Sequence, residues 1–140
     1  MKYELVVGVS AAILDNSQKR ILLTKRTSWM PNFPNYWTFP AGRSDPTDKS
    51  IKETVIRELK EEVDLNFRPT KGLGFYESFT KNQKIVSLVF LGEWDGEVKV
   101  QETEVSEYGW FTYDEIHNKN LPLAFAYSEV IEDLHEQSLL

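Results

Sequence analysis

The stretch Arg57-Glu58-Leu59-Lys60-Glu61-Glu62 holds the densest group of reactive side chains in the chain. If it is helical, its carboxylates stand at i, i+3 and i+4, on one side of the helix. Carboxylates this close repel one another. At an effective dielectric of 20 and ~6 Å, each like pair costs roughly 3 kcal/mol. Such a cluster is either solvated or filled by a cation, and in Glu-rich helices a solvated face is the commoner outcome. The helical wheel argues against it here. At about 100° per residue, measured from Ile51, the residues Val55, Leu59, Val63 and Ile56 form an apolar stripe. Glu62 falls at about 20°, between Ile51 and Val55, and Glu58 at about 340°, on the margin. Lys60 and Glu53 take the opposite side. Two carboxylates therefore aim toward the protein, which is costly unless a cation neutralises them.

Oxygen-only ligands favour a hard divalent ion, Mg²⁺ or Mn²⁺. Mg²⁺ keeps several waters and bridges carboxylates to substrate phosphates, so it makes an acidic pocket attractive to a polyphosphate. One glutamate can then accept the proton of an attacking water. Arg57 lies four residues after Glu53 and four before Glu61. It is either a surface ion-pair partner worth ~0.3–0.5 kcal/mol or the group that orients one of the glutamates.

The elements around this cluster are readable. Ser50 with Glu53 three residues on predicts a capped helix start. Asp64 stands where a helix often ends in a left-handed residue. Residues 5–14 are apolar and β-branched and predict one buried strand, with a turn at Asp15-Asn16-Ser17-Gln18 and a hairpin partner over 20–25. A short strand at 37–39 ends at Pro40. Two longer strands are expected over 72–80 and 84–94, and another over 108–112. Thr112 with Glu115 predicts a second, short capped helix, and 124–139 predicts a C-terminal one. This interleaving predicts an α/β fold in which helices cover a mixed central sheet.

With 140 residues, a single domain over 1–140 is expected. Cysteine is absent, which excludes a disulfide framework, thiolate metal sites and cysteine nucleophiles, and fits a reducing compartment. A net charge of -6 makes a nucleic-acid polymer a poor partner. No run of about 18 apolar residues exists, so no membrane span is expected. Met1-Lys2-Tyr3-Glu4 opens into a strand-like pattern without a secretory signal. A cytoplasmic protein is expected, and a homodimer is compatible with the sequence.

The acidic stretch resembles a Nudix box, G-x5-E-x7-R-E-U-x-E-E-x-G-U, where U is bulky and aliphatic. Arg57-Glu58 matches R-E, Leu59 matches U, Glu61-Glu62 matches E-E, and Leu65 matches the final U. Phe39-Pro40-Ala41-Gly42 resembles the strand end that leads into the box. More loosely, Leu22-Leu23-Thr24-Lys25-Arg26 and the segment with Glu104, Glu107 and Trp110-Phe111 resemble patterns before and after it. Three departures stand out. Asp48 replaces the first Glu, eight residues rather than seven separate it from Arg57, and Asp64 replaces the terminal Gly.

The resemblance implies an α/β/α sandwich and Mg²⁺-dependent hydrolysis of a diphosphate that joins a nucleoside to another moiety. It implies Glu58 and Glu62 as metal ligands, Glu61 as a further ligand or the base, and Arg57 beside them. It also implies a further acid from a later loop, Glu107 or Glu104. Gly42, Arg43 and Arg26 are candidate phosphate-side contacts, with Lys71 and Lys84 as weaker ones. A binding domain without catalysis on the same fold is the alternative, motivated by the irregular box loop. Trp29, Phe33, Tyr36 and Phe75 read as packing residues rather than base-stacking ones, and His117 and His135 as surface residues.

Overall fold

The computed structural model describes residues 2–140. In chain order the elements are β1 (Glu4–Ala11), β2 (Leu14–Asp15), β3 (Arg20–Arg26), β4 (Trp37–Thr38), β5 (Ala41–Arg43), α1 (Ile51–Val63), β6 (Asn66–Phe79), β7 (Gln83–Asp95), β8 (Val105–Thr112), α2 (Tyr113–Asn118) and α3 (Tyr127–Glu136). The strands form two four-stranded sheets rather than one. The first runs β5-β1-β7-β6 and is mixed, because β1 pairs parallel with β7 while its other pairings are antiparallel. The second is antiparallel and built on β3, which pairs with β2, β4 and β8.

The split explains the apolar run at the N-terminus. One strand was expected over 5–14. Instead β1 stops at Ala11, Ala12 and Ile13 cross between the sheets fully buried, and β2 begins in the second sheet. The Ala12 N–H donates to the Phe90 carbonyl, and the Leu22 N–H donates to the Ile13 carbonyl, both at 3.0 Å. A crossing segment buried on both sides reads as one continuous strand, because its composition does not change.

Helices flank the sheets. Val55, Leu59 and Val63 of α1 pack with Val9, Ile13, Leu22 and Phe67. Val130, Ile131 and Leu134 of α3 and Ile116 of α2 pack with Leu23, Phe39, Tyr76 and Val89. The predicted α/β arrangement of a mixed sheet between helices holds. No described helix is long and apolar enough to cross a membrane.

Three boundaries differ from expectation. β6 starts at Asn66, although Pro69 and Gly72 read as breakers. It lies at the edge of its sheet, and its register shifts between Pro69 and Lys71 and between Gly72 and Gly74. An edge strand tolerates such residues. β8 starts earlier, at Val105. α3 is shorter at both ends, and Phe125 just before it holds a positive φ of 51°.

Candidate active site

α1 forms where its caps predict. The Ser50 side chain accepts the Glu53 N–H at 3.1 Å, and Asp64 takes the left-handed conformation at φ 59°. Asp64 thus fills the place of the box glycine at modest conformational cost. Its carboxylate also pairs with Lys60 at 3.1 Å. The apolar side of α1 holds Thr54, Val55, Leu59, Glu62 and Val63. Ile56, expected on the stripe, is exposed. The buried arc is narrower on that flank and runs through Glu62 instead.

A cavity of about 430 Å³ opens against this side. Glu58 and Glu62 line it, with Ala41, Gly42 and Arg43 of β5, Arg26 of β3, and Glu104 from the loop before β8. That loop is strapped to the end of α1: the Gln101 N–H donates to the Glu62 carbonyl at 2.8 Å, and the Lys99 N–H to the Val63 carbonyl at 2.9 Å. The strap carries Glu104 to the rim. Glu107 points elsewhere, exposed on β8, and does not line the cavity. A Cβ at Gly42 would overlap the Glu58 carboxyl, so the bare backbone at 42 is what lets β5 and α1 close over this acid.

Glu62 is only 6% exposed. Burial pushes its carboxyl well above the ordinary range, and Glu104 and Glu58 push the same way. The Ala41 N–H and Arg26 oppose them. Burial also raises Glu58, against the pull of Arg57. Arg26 is itself partly buried, and burial lowers its guanidinium from its usual value. Its Nε donates to the Asn32 carbonyl at 2.9 Å, and its guanidinium lies 5.1 Å from the Phe125 ring centre.

Arg57 lies outside the cavity lining and organises the acids from behind. Its Nε and Nη2 donate to the two oxygens of Asp48 at 3.1 and 2.9 Å. Its Nη1 donates to Glu58 at 2.9 Å and to Glu61 at 3.3 Å. Asp48 also accepts the Thr54 hydroxyl at 2.8 Å, and these donors hold its carboxyl well below the usual range. The pairing of Arg57 with Glu53 does not form. Asp48, the residue of the altered box loop, is the anchor that sequence reasoning left without a role. The longer spacing hid it, because the loop bends back so that 48 meets 57. Glu61 is exposed and does not line the cavity. Lys84 pairs with Glu77 at 3.1 Å, and neither it nor Lys71 lines the cavity.

Among the described residues no three acidic, histidine or cysteine side chains form a ready metal cluster. The donor set still suits a hard cation, since every candidate donor is a carboxylate oxygen. Mg²⁺ is commonly held by one or two carboxylates, with waters and substrate phosphates completing its shell. Two buried or half-buried acids on one wall, with a third at the rim, fit a cation that arrives with its phosphate.

Known proteins share this architecture. A MutT protein from Methanosarcina mazei Go1 superposes with a TM-score of 0.85 at 26% identity, covering 99% of this chain and 98% of that one. A MutT NUDIX hydrolase from Burkholderia pseudomallei gives 0.82 at 27%, covering 94% and 98%. The zebrafish (Danio rerio) m7GpppN-mRNA hydrolase NUDT17 is 31% identical over 77% of this chain and 42% of its own length. The NAD-capped RNA hydrolase NudC of Chromobacterium violaceum is 29% identical over 69% and 36%. The chain thus spans less than half the length of these two curated relatives. The box helix, the cavity beneath it and the sheets that carry both fall within residues 4–134, which match the NUDIX domain model, and the chain belongs to that family.

Proposed function

We propose that this chain hydrolyses the pyrophosphate bond of a nucleoside diphosphate linked to another moiety, with Mg²⁺ or Mn²⁺ as cofactor. The observation that carries this reading is Glu62. It is a nearly buried carboxylate on the wall of a cavity that it shares with Glu58 and Glu104, and its protein surroundings under-compensate its charge. A buried acid left this way destabilises the fold, and a cation with its phosphate ligand removes the penalty.

Glu58 and Glu62 would hold the metal, with Glu104 as the acid from the later loop in preference to Glu107. Bound there, a divalent ion would neutralise the phosphate oxygens and so favour attack at phosphorus. The rest falls to the protein. Arg26 and Arg43 line the same cavity and would hold non-bridging phosphate oxygens. One of the cavity acids would take a proton from the attacking water. Glu61 acts through Arg57 rather than on the substrate. The names of the two RNA-cap relatives add a diphosphate at an RNA end to the substrates worth testing.

The test is phosphate or mononucleotide release from nucleoside triphosphates, nucleotide sugars, dinucleotides and capped RNA, with and without Mg²⁺. Metal-dependent turnover of at least one class is expected. No turnover on any of them would contradict the reading. One observation favours the non-catalytic alternative: Arg57 already holds the Glu58 carboxylate. Calorimetry separates the two readings, because tight nucleotide binding without product belongs to the alternative.

A further inference from the structure

A second cavity of about 310 Å³ adjoins the first, lined by Thr27, Trp29, Asn35, Glu102 and Val105 among others. The two share Val105. Between them the Thr27 N–H donates to the Glu104 carbonyl at 3.1 Å. The acid at the rim of the first cavity is therefore bonded, through its backbone, to the floor of the second.

Trp29 dominates this second cavity in an unusual way. Its indole N–H donates to the Thr103 carbonyl at 3.1 Å, so its polar atom is tethered. Its rings are nonetheless 68% exposed, and it enters neither apolar cluster among the described residues. Phe33 in the same loop behaves as expected, packing edge-on to Tyr36 and Phe125. Trp29 has lost side-chain freedom without gaining burial, which gives it a fixed face in water. Such a face suits stacking with a planar ring.

We propose that Trp29 forms a ring-binding subsite at the second cavity, which takes a planar group on the far side of the diphosphate from the nucleoside. The proposal rests on the hydrolase reading above, which puts the diphosphate at the Glu58, Glu62 and Glu104 wall. It selects two-headed diphosphates, with an aromatic ring at each end, over those ending in a sugar or a phosphate. Glu102 on the same lining favours a cationic ring over an anionic one.

ADP-ribose and NAD⁺ share one diphosphate frame and differ by a cationic ring, so they isolate this subsite. Trp29→Ala is expected to lower kcat/KM for NAD⁺ at least about tenfold more than for ADP-ribose, through KM, which is the scale of one lost base stack. Trp29→Phe should recover part of that loss. Binding is read separately from the Trp29 indole N–H resonance, identified by its loss in Trp29→Phe. The ligands are methylene-bridged analogues of the two compounds, added with Mg²⁺. The resonance should shift with the NAD⁺ analogue and stay near its free position with the other. Equal losses on both substrates, or a resonance that ignores the second ring, would overturn the subsite. If neither compound is hydrolysed, the hydrolase reading fails for them, while the resonance still decides this proposal.

Discussion

Two acids beside α1 are nearly buried and have opposite surroundings. On the loop side, Asp48 accepts two N–H groups from Arg57 and the Thr54 hydroxyl, and its carboxyl is held low. On the cavity side, Glu62 meets burial, Glu104 and Glu58, which outweigh the Ala41 N–H and Arg26, and its carboxyl is pushed high. Burial alone does not decide the charge state of an acid. The donors around it do. One flank of the helix is electrostatically complete and serves as scaffold. The other is electrostatically unfinished, and the proposed cation would complete it.

The two flanks should respond differently to substitution. Glu62→Gln has the largest expected effect, a fall in kcat on the order of 1,000-fold or more, as several kcal/mol of transition-state stabilisation are lost. Circular dichroism should show the fold intact. A variant with near-normal turnover would erase the distinction between the flanks.

Asp48→Asn and Arg57→Lys come next. They leave the cavity acids in place but loosen their backing, and about 10–100-fold losses in metal affinity or kcat are expected. Lysine cannot reproduce the two-pronged grip of Arg57. Asp48 also gives a pH signature. Its carboxyl is lower in the folded state than in the unfolded chain, so its stabilising contribution is complete above the ordinary Asp range. It is lost as pH falls below that range toward the lowered folded value. Acid unfolding of Asp48→Asn, followed by tryptophan fluorescence, should be less steep there.

A smaller contrast separates the later acids. Glu104→Gln should weaken Mg²⁺ dependence by about tenfold, on the scale of lost outer metal contacts, while Glu107→Gln should stay within about twofold. Steady-state Mg²⁺ titrations distinguish them. The reverse order would move the cavity rim to β8.

The sequence carried α1 and the inward aim of Glu62 plainly, because caps and a 3.6-residue period are local signals. The choice between Glu104 and Glu107 was not local. It depends on hydrogen bonds from Lys99 and Gln101 to the last turn of α1, in a stretch with no regular period. The role of Asp48 was hidden by the altered spacing, since the loop from 43 to 50 has no repeat from which its path could be read. Ile56 joined the apolar stripe on angle alone, yet it stands exposed, on the outer margin of the arc that α1 buries. Trp29 read as a packing residue because tryptophans usually pack. Only its tether to Thr103 shows a ring fixed without burial.

The central claim is that Glu62 is a liability that a cation relieves. Thermal unfolding of wild type and Glu62→Gln near neutral pH, without metal and then with Mg²⁺ and a nucleoside diphosphate, tests it directly. Because the folded state raises this carboxyl, ionisation penalises the metal-free wild type at neutral pH, and the penalty fades as pH falls through the raised value toward the ordinary Glu range. Glu62→Gln without metal should therefore melt higher than wild type, by at least about 3 °C on the 2–4 °C per kcal/mol scale of a domain this size. Mg²⁺ with nucleotide should raise the wild-type Tm and leave the variant nearly unmoved. A metal-free variant that melts lower than wild type, with an undiminished response to Mg²⁺, would contradict the account.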